Sequence, residues 1–425
     1  MSVVRIRPGP VSGIVRAPSS KSYTHRALVV AHLALRRYEV VRPLRSNDTM
    51  RTVAALRALG STVELNADRW VVAPGATRRG RRRVRLDCGE SGTTLRFAGA
   101  LAALQDRPVE LLGQGRLPMR PMGALARALR ELGATVKEPK PPRSLPMVVH
   151  GPIHGGEVHV DASESSQFVS ALLLALPTVG DSSDLRLSGP PVSAPYIEAT
   201  LAALRASRVR VEASRERFRI PGGQRYRGQR FVVPGDASSA AYLWAAAAVA
   251  GGTVTVEGLP DAWPQADLAI LALLDRFGAT VQPGGRGTTV EFAARRPFSV
   301  TLTDSPDLYP LAGVLAATAR GTSRLRGASH VAAKESDRLA ETIRLVRAMG
   351  ARVEEGSGQL RITGTDSPRP TALRSASDHR MVMSAAVGAL AATGESTVGR
   401  SEAVAKSFPD FWKVLDTLAG GERVR

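Results

Sequence analysis

A repeating pattern of hydrophobic and polar positions divides the chain into six segments of similar length. In each segment a stretch with helical periodicity ends in a tight Gly or Ser turn, and a β-rich run follows. The turn residues lie 70 to 74 positions apart, at Gly60, Gly133, Ser207, Gly278, Gly350 and Gly420. Because a fixed period marks repeated structural units, the pattern predicts six copies of one α/β unit of about 72 residues.

A second series of positions has the same period. Small polar residues open Ala- and Leu-rich helical stretches at Ser20, Ser91, Ser165, Ser238, Asp307 and Ser377. These stretches are nearly all apolar, which is typical of helices packed on every side. Each unit is therefore predicted to hold a buried helix, one or two strands, an amphipathic helix and a β-hairpin. Two domains of three units each, with the joint near residues 233–235, are the simplest partition of 425 residues.

The composition is that of a folded, soluble protein. Hydrophobic residues make up 43% of the chain and charged residues 23%. The longest apolar run, residues 240–250, is about half as long as a bilayer span requires, and the first residues contain no apolar signal segment. We therefore expect a cytoplasmic location. The single cysteine, Cys88, excludes an internal disulfide and a thiolate metal cluster.

The net charge of +20 raises the question of a nucleic-acid partner. The basic residues are 52 Arg and 6 Lys, and the Arg residues are scattered except for one dense run at residues 78–85. A solvated loop explains that run, because no aromatic stacking platform accompanies it. The positive field suits small anionic substrates instead. Three of the six lysines, Lys21, Lys334 and Lys406, fall within the motifs described next.

Several predicted buried helices begin with residues that can bind an anion. A polar cap explains a Ser or Asp at any single helix start. The cations Lys21, Arg96 and Arg380 are different, because a positive charge in the first turn opposes the helix dipole. A bound phosphate or carboxylate reverses that effect. The pattern predicts a substrate that carries such groups, held in a cleft between the two halves of the chain.

A second constellation, Lys334-Glu335-Ser336-Asp337-Arg338, opens an amphipathic stretch. Glu335 and Arg338 are three residues apart and are expected on one helix face, where a surface ion pair is an equally good interpretation. Arg120 and Lys406 lie at the corresponding places of the second and sixth units. The sequence has no His/Cys metal-binding cluster, P-loop or nucleophile elbow. With these classes of site excluded, the sequence predicts acid–base catalysis on anionic substrates.

Eight motifs, in order along the full length, closely resemble those of the 5-enolpyruvylshikimate-3-phosphate (EPSP) synthase family. They are Ser20-Lys21-Ser22 with His25-Arg26-Ala27-Leu28, Gly92-Thr93 with Arg96, Ser165-Ser166-Gln167-Phe168, Ser193-Ala194-Pro195-Tyr196, Gly235-Asp236-Ala237-Ser238-Ser239-Ala240, Lys334-Glu335-Ser336-Asp337-Arg338, Asp378-His379-Arg380-Met381 and Lys406-Ser407-Phe408-Pro409-Asp410.

The resemblance implies an α/β fold of two similar domains, each built from three βαβαββ units, which is the enolpyruvyl transferase fold or inside-out α/β barrel. The domains would be residues 14–234, on the shikimate 3-phosphate side, and residues 1–13 with 235–425, with hinges near 13–15 and 233–236. The implied reaction transfers the enolpyruvyl group of phosphoenolpyruvate to the 5-hydroxyl of 3-phosphoshikimate and releases phosphate. It implies no metal, no organic cofactor, no nucleic-acid or membrane partner, and a monomer.

The resemblance also implies roles for individual residues. The 3-phosphoshikimate contacts would be Lys21, Ser22, Arg26, Thr93, Ser165, Ser166, Gln167, Ser193, Tyr196, Asp307 and Lys334. The phosphoenolpyruvate contacts would be Lys21, Gly92, Arg120, Gln167, Arg338, Arg380 and Lys406. Asp307 would take the proton of the attacking hydroxyl, Glu335 would handle the proton of the methylene carbon, and Lys21 would assist.

The chain departs from the usual family pattern at Glu90, Ser91, Phe97, Ala194 and His330, none of which removes an acid, a base or a clamp cation. Three alternatives remain. UDP-N-acetylglucosamine enolpyruvyltransferases share the fold, but their mobile loop usually carries a reactive cysteine, and residues 113–121 have none. A basic nucleic-acid-binding repeat protein and an inactive relative are the others.

Overall fold

The protein is described here by a computed structural model covering residues 2–75, 82–327, 331–356, 358–373 and 377–425. Half of the predicted basic run, residues 78–81, lies outside these ranges, as does His330. The strands in the described ranges are β1 (Val3–Ile6), β2 (Gly13–Arg16), β3 (Tyr38–Val41), β4 (Ser61–Leu65), β5 (Arg69–Pro74), β6 (Val84–Asp87), β7 (Val109–Leu112), β8 (Thr135–Lys137), β9 (Met147–His150), β10 (Gly156–Asp161), β11 (Ser183–Ser188), β12 (Glu212–Ala213), β13 (Arg217–Ile220), β14 (Arg230–Val232), β15 (Thr253–Glu257), β16 (Thr280–Pro283), β17 (Gly287–Glu291), β18 (Ser299–Thr301), β19 (Gly321–Arg326), β20 (Arg352–Gly356), β21 (Gln359–Gly364), β22 (Ala372–Leu373) and β23 (Ser396–Gly399).

The α-helices alternate with these strands. They are α1 (Lys21–Leu33), α2 (Asn47–Ala58), α3 (Gly92–Ala102), α4 (Gly123–Glu131), α5 (Ser166–Ala175), α6 (Pro195–Ala206), α7 (Ala237–Ala250), α8 (Ala269–Phe277), α9 (Tyr309–Thr318), α10 (Arg338–Ala348), α11 (His379–Leu390) and α12 (Phe411–Leu418). None of the helices in the described ranges combines the length and the hydropathy needed to cross a bilayer.

The chain forms two compact units. The amino-terminal unit comprises Ser19–Pro234 and Ala262–Pro264, and the carboxy-terminal unit comprises Met1–Pro18, Gly235–Asp261 and Gln265–Arg425. The chain first passes from the carboxy-terminal unit to the amino-terminal unit between residues 18 and 19. The amino-terminal domain was expected to begin a few positions earlier, at residue 14. The boundary lies later because β2 pairs in parallel with β15 of the carboxy-terminal unit, so Gly13–Arg16 belong to its sheet.

Three four-stranded sheets of one topology build the amino-terminal unit, in the orders β14-β3-β5-β4, β6-β7-β9-β8 and β10-β11-β13-β12. In each sheet the first two strands are parallel and the last two form an antiparallel hairpin. The first sheet takes its opening strand, β14, from the end of the unit. Parallel pairing requires a long crossover, and the buried helix of each repeat supplies it in the second and third sheets.

The carboxy-terminal unit repeats this topology in two of its three sheets, and its last sheet has three strands in the described residues. Its sheets have the orders β2-β15-β17-β16, β18-β19-β21-β20 and β22-β23-β1. The last sheet uses β1, from the start of the chain, as the antiparallel partner of β23. The predicted α/β fold of six repeated units is therefore confirmed in the described residues.

The second helix of each repeat ends where the sequence predicts. Helices α2, α4, α6, α8, α10 and α12 stop one or two residues before the six turn residues. The glycine turns have positive φ, as at Gly278 (φ 105), a conformation that glycine adopts without a steric penalty. In the third repeat Ser207 has φ −98, and the following Arg208 takes the positive φ of 59.

The first helix of each repeat is buried, and its start is polar as predicted. Ser20, Ser91 and Ser165 are the N-caps of α1, α3 and α5, because each hydroxyl accepts a backbone N–H of the first turn. In the carboxy-terminal unit the caps of α7 and α11 are Asp236 and Asp378 instead of the predicted serines. Asp307 lies in a short 3-10 turn directly before α9.

Close helix packing depends on small side chains. A Cβ at Gly313 of α9 would lie 2.4 Å from Cγ2 of Thr342 in α10, so only glycine permits this approach. Helix α7 buries Trp244 completely within a face otherwise made largely of alanines. Because α7, α9 and α11 contact one another, the polar starts of these helices belong to one packed bundle.

Trp263 anchors the short segment 262–264 in the amino-terminal unit. Its ring lies 5.0 Å, centroid to centroid, from the rings of Tyr23 and Phe231. The Tyr23 hydroxyl also donates a hydrogen bond to the Pro264 carbonyl at 2.8 Å. Aromatic packing of this kind stabilises by about 0.5–1.5 kcal/mol per pair beyond area burial. No pattern in the sequence predicted this excursion of the chain.

Candidate active site

Arg338 is the centre of an ion-pair cluster in the carboxy-terminal unit. It is the first residue of α10, and its side chain is only 1% exposed. The guanidinium group contacts three carboxylates, those of Asp307 at 2.7 Å, Glu335 at 2.8 Å and Asp378 at 2.9 Å. A buried cation of this kind is stable only because acids neutralise it.

The pair of Glu335 and Arg338 exists, but not on the face of a helix. Helix α10 begins at Arg338 with Asp337 as its N-cap, so Glu335 lies in the preceding turn. The pair is also largely buried, with side-chain exposures of 14% for Glu335 and 1% for Arg338. The alternative interpretation, an ordinary surface ion pair, is therefore excluded.

Asp307 bridges two arginines. One carboxylate oxygen accepts from Arg338, and the other accepts from Arg380 at 2.9 Å. Burial by itself would raise the pKa of the Asp307 carboxyl, but Arg380 and Arg338 outweigh that effect and hold its pKa well below the usual value. Asp307 is thus ionised at neutral pH, and Arg380, which is 3% exposed, is neutralised by it.

Asp378 joins the cluster to the start of α11. Its carboxylate accepts from the Arg380 backbone N–H at 2.9 Å as the N-cap, from the Ser336 hydroxyl at 2.9 Å, and from Arg338. The side chain is fully buried. Burial by itself would lower the pKa of Arg338, yet Asp378, Glu335 and Asp307 together raise it well above the usual value.

Asp267 is a further buried acid of the same unit. It is 1% exposed and accepts a hydrogen bond from the Ser238 hydroxyl in the first turn of α7. Burial, and next the negative charge of Asp307, raise the pKa of Asp267 to about 7. The carbonyl of the preceding residue, Ala266, accepts a hydrogen bond from the Ser305 hydroxyl at 2.8 Å. This bond connects the segment that carries Asp267 to the loop that carries Asp307.

The remaining predicted residues of this unit are two lysines. Lys406 is 8% exposed and donates to the Ser377 carbonyl at 2.9 Å, so its ammonium group lies beside the cap of α11. Lys334 directly precedes Glu335 in the chain and is half-buried. Its charge is one of those that lower the pKa of Asp307.

In the amino-terminal unit Lys21 is the first residue of α1. Its ammonium nitrogen lies 3.3 Å from a carboxylate oxygen of Asp48 in the first turn of α2. The two side chains are 16% and 10% exposed. The structure thus places Lys21 at a helix start, as the sequence predicts, and adds an acid that the sequence did not reveal.

Arg26 lies one turn further along α1 and is nearly enclosed. It is 2% exposed, and it donates to the Thr200 hydroxyl at 2.9 Å, the Ser22 hydroxyl at 2.6 Å and the Tyr196 carbonyl at 2.8 Å. Burial lowers the pKa of Arg26 to about 10. The contacts bring three predicted residues, Ser22, Arg26 and Tyr196, into one network.

Gly92, the first residue of α3, lies against two guanidinium groups. A Cβ placed on it would be 2.6 Å from a nitrogen of Arg120 and 2.6 Å from a nitrogen of Arg96. Arg96 is in the second turn of α3, not the first as expected, and donates to the Gly92 carbonyl at 3.2 Å and the Pro121 carbonyl at 2.8 Å. The missing side chain at Gly92 is what lets both cations approach the helix start.

The other predicted residues lie at the starts of α5 and α6. Gln167 donates from its side-chain amide to the Thr93 hydroxyl at 3.1 Å, which connects α5 to α3. Ser165 caps α5, and Ser166 is its first residue. Ser193 has a positive φ of 56 two residues before the start of α6, and its carbonyl accepts the Tyr196 N–H at 3.0 Å. A non-glycine residue in that conformation is often held there for function.

Sequence reasoning missed three acids, Asp48, Asp267 and Asp378. Asp378 is part of the motif Asp378-His379-Arg380-Met381. An acid at a helix N-cap next to a cation could have indicated a buried ion pair. Asp48 and Asp267 carry no such signal, because each reaches its partner only through packing between separate helices. The described residues contain no group of three or more His, Cys, Asp or Glu side chains arranged to hold a metal ion.

Comparison with protein families now decides where the chain belongs. The model of the EPSP synthase (3-phosphoshikimate 1-carboxyvinyltransferase) family matches residues 6–415. The chain belongs to the EPSP synthase family. Among curated members, the 3-phosphoshikimate 1-carboxyvinyltransferase of Halobacterium salinarum is 41% identical over 422 residues, covering 97% of this chain and 98% of its own. That of Methanocorpusculum labreanum is 37% identical over 414 residues and covers 97% of each chain.

Solved structures agree on the fold. EPSP synthase from Acinetobacter baumannii aligns with a TM-score of 0.81 at 24% identity, covering 100% of this chain and 99% of that one. The enolpyruvyl transferase NikO from Streptomyces tendae aligns with a TM-score of 0.77 at 19% identity, covering 100% and 98%. The enolpyruvyl transferase fold expected from the eight motifs is thereby confirmed.

Proposed function

We propose that this chain transfers the enolpyruvyl group of phosphoenolpyruvate to the 5-hydroxyl of 3-phosphoshikimate and releases phosphate, with Asp307, Glu335 and Lys21 carrying the proton transfers. The observation that supports these roles is the buried cluster around Arg338, in which two of the three groups lie 2.7 and 2.8 Å from one guanidinium group. Membership of the family supplies the reaction, and the cluster supplies acids, bases and cations suited to it.

Phosphoenolpyruvate carries a carboxylate and a phosphate, and we assign several cations of the chain to these groups. The proposed contacts are Lys21, Gly92, Arg120, Gln167, Arg338, Arg380 and Lys406. Guanidinium groups bind such anions through paired hydrogen bonds, and they also stabilise the charge of a departing phosphate. Gly92 contributes space, since a side chain there would displace Arg120.

Arg338 and Arg380 are also the partners of the reacting carboxylates. In the structure they hold Asp307 and Glu335 as ion pairs, and the lowered pKa of Asp307 makes that carboxylate a poor proton acceptor. A substrate anion that binds the same arginines shares their positive charge. Asp307 and Glu335 are then held less tightly, and each becomes able to accept or donate a proton. Substrate binding would thus prepare the acid–base groups.

The proton transfers balance over two steps. Before the first step Glu335 takes a proton from solvent, once the bound anion shares the charge of Arg338. In the first step the 5-hydroxyl oxygen bonds to the substituted carbon of phosphoenolpyruvate, Asp307 takes the hydroxyl proton, and the protonated Glu335 gives its proton to the methylene carbon with the help of Lys21. The product is a tetrahedral ketal phosphate. In the second, Glu335 removes a proton from the new methyl group, the carbon–oxygen bond to phosphate breaks, and phosphate leaves with the proton held by Asp307.

For 3-phosphoshikimate we propose a binding set rich in hydroxyl groups. It comprises Lys21, Ser22, Arg26, Thr93, Ser165, Ser166, Gln167, Ser193, Tyr196, Asp307 and Lys334. Four of these, Ser22 with Arg26 and Thr93 with Gln167, are already joined in pairs by hydrogen bonds, which orders their side chains before any ligand arrives. We further propose that the amino-terminal unit, which begins at Ser19, acts as the 3-phosphoshikimate domain, that the protein is a monomer, and that it works in the cytoplasm without a nucleic-acid partner.

The first test is phosphate release by the purified protein in metal-free buffer. We expect release when phosphoenolpyruvate and 3-phosphoshikimate are both present. A parallel reaction with UDP-N-acetylglucosamine as the acceptor should give none. Release only with the sugar nucleotide would assign the chain to the other enolpyruvyl transferase activity, and release with neither from folded protein would contradict the proposal.

Arg120→Ala tests the assignment of the anion contacts. We expect the KM for phosphoenolpyruvate to rise by roughly 10- to 100-fold, the cost of about 1.5–3 kcal/mol for a charged hydrogen bond. The KM for 3-phosphoshikimate should change much less, because Arg120 is not among its proposed contacts. Steady-state kinetics with each substrate varied in turn gives both values. Equal increases for the two substrates would contradict the assignment.

A further inference from the structure

The pair formed by Lys21 and Asp48 contains an acid that the reaction described above does not use. The two side chains come from different helices, α1 and α2, and are 16% and 10% exposed. Their 3.3 Å separation is therefore sheltered from solvent, where an ion pair is stronger than on the open surface. The acid contacts the ammonium group that we assign to both substrates and to proton transfer.

The position of Lys21 explains why an acid is needed beside it. As the first residue of α1, its ammonium group lies at the positive end of the helix dipole, which repels it. Asp48 compensates for that repulsion and also lies in the first turn of its own helix, where a carboxylate is favoured. The carboxy-terminal unit has the same arrangement, since Arg380 in the first turn of α11 is paired with Asp307.

Asp48 is itself fixed by a buried hydrogen-bond network. The Thr94 hydroxyl of α3 donates to the Asp48 carbonyl at 3.2 Å, and Thr94 also lies 2.8 Å from the hydroxyl of Thr52. Thr52 in turn lies 2.7 Å from Nδ1 of His25, which is one helical turn after Lys21. These groups are almost completely buried and connect the first two turns of α1 and α2 to the first turn of α3.

The geometry points to Asp48 as a positioning residue for Lys21: its carboxylate holds the ammonium group at the start of α1 in the orientation that the substrates and the proton transfer require. This inference rests on the proposed role of Lys21. Without the carboxylate the lysine side chain keeps its length but loses the contact that selects one rotamer, and the repulsion from the helix dipole drives it outward.

A double-mutant cycle on kcat/KM for phosphoenolpyruvate, with 3-phosphoshikimate saturating, tests the inference. We expect Asp48→Asn to lower kcat/KM by roughly 10- to 100-fold, the loss typical when a residue that orients a functional group is removed. Lys21→Met should lower it further. Because Asp48 acts through Lys21, the double variant should be no worse than Lys21→Met alone.

Control variants separate positioning from structural damage. Asp184→Asn removes a carboxylate from an ion pair of the same unit, with Arg217 on a neighbouring strand, and should leave kcat/KM unchanged. Asp48→Glu keeps the negative charge and should retain more activity than Asp48→Asn. If Asp48→Asn does not fold, Asp48→Glu takes its place in the cycle. Thermal unfolding of every variant checks that the fold is intact.

The outcomes distinguish this inference from the proposed function. Multiplicative losses in the double variant, or equal losses in Asp48→Asn and Asp48→Glu, would overturn the positioning role alone. Wild-type activity in Lys21→Met would overturn the role of Lys21 and this inference with it. A wild-type protein that releases no phosphate from the two substrates would defeat the proposed function before the cycle begins.

Discussion

Glu335→Gln is expected to lose about 10²- to 10⁴-fold in kcat while the protein stays folded, the range that a positioned general acid or base contributes. Glutamine has nearly the same shape and can still accept a hydrogen bond from Arg338, so the buried cluster keeps its packing. It cannot take up or release a proton. The loss should therefore appear in kcat far more than in either KM, because both substrates keep their proposed cations.

Helix α10 provides a matched control for this variant. Glu341 pairs with Arg344 three residues later, as Glu335 pairs with Arg338, and the two glutamates have similar side-chain exposures of 12% and 14%. Glu341→Gln should keep wild-type turnover. Stopped-flow or steady-state phosphate release measures both variants. Wild-type turnover in Glu335→Gln would remove Glu335 from the proposed mechanism. An equal loss of turnover in Glu341→Gln would show that the loss comes from disturbing helix α10 and not from a missing proton transfer.

Asp378→Ala is expected to give the largest loss of stability, about 3–5 kcal/mol for a buried ion pair with one partner removed and about 1 kcal/mol for the N-cap of α11. The side chain is fully buried and bonded to Arg338, the Ser336 hydroxyl and the Arg380 backbone. Its removal leaves less negative charge around a guanidinium group that is 1% exposed. Asp307 and Glu335 still contact Arg338, so a loss near the lower end of the range is expected.

Asp337→Ala separates the cap from the ion pair. Asp337 is the N-cap of α10 and accepts the Ala340 N–H at 3.1 Å, and the residue is half-buried. This variant should lose only about 1 kcal/mol. Native-state hydrogen exchange of peptides from α10 and α11 measures both variants locally, which matters because a chain of two units need not unfold in one step. Similar losses in the two variants would show that the ion pair adds little.

The six-unit architecture could be predicted because its signals are local. Turn residues such as Gly60 and Gly278 end helices through their own backbone conformations, and Ser20 or Ser91 begins one by accepting a backbone N–H three residues on. Helical periodicity and capping act within a few residues. Repeated six times, these signals define the elements and their period without any knowledge of how the elements pack.

Local signals could not predict which distant strands pair with each other. The opening strand of the first sheet is β14, which lies 191 residues after its partner β3 (Glu39 to Arg230). The opening strand of the fourth sheet is β2, which lies 241 residues before its partner β15 (Gly13 to Val254). A short β-rich run has the same pattern whichever neighbour it joins. The boundary of the compact units at residues 18 and 19 follows from that pairing.

The features of the candidate site also separate into those with local sequence signals and those that depend on contacts between distant elements. By itself the sequence determined the motif residues and the cations at helix starts, Lys21 and Arg380, because their positions relative to the caps are local. Only the tertiary structure decided that Arg338 is buried among Asp307, Glu335 and Asp378, and that Asp48 holds Lys21. The strength of an ion pair depends on burial and on partners from other helices, and a sequence lists charges without placing them at a distance of 3 Å from one another.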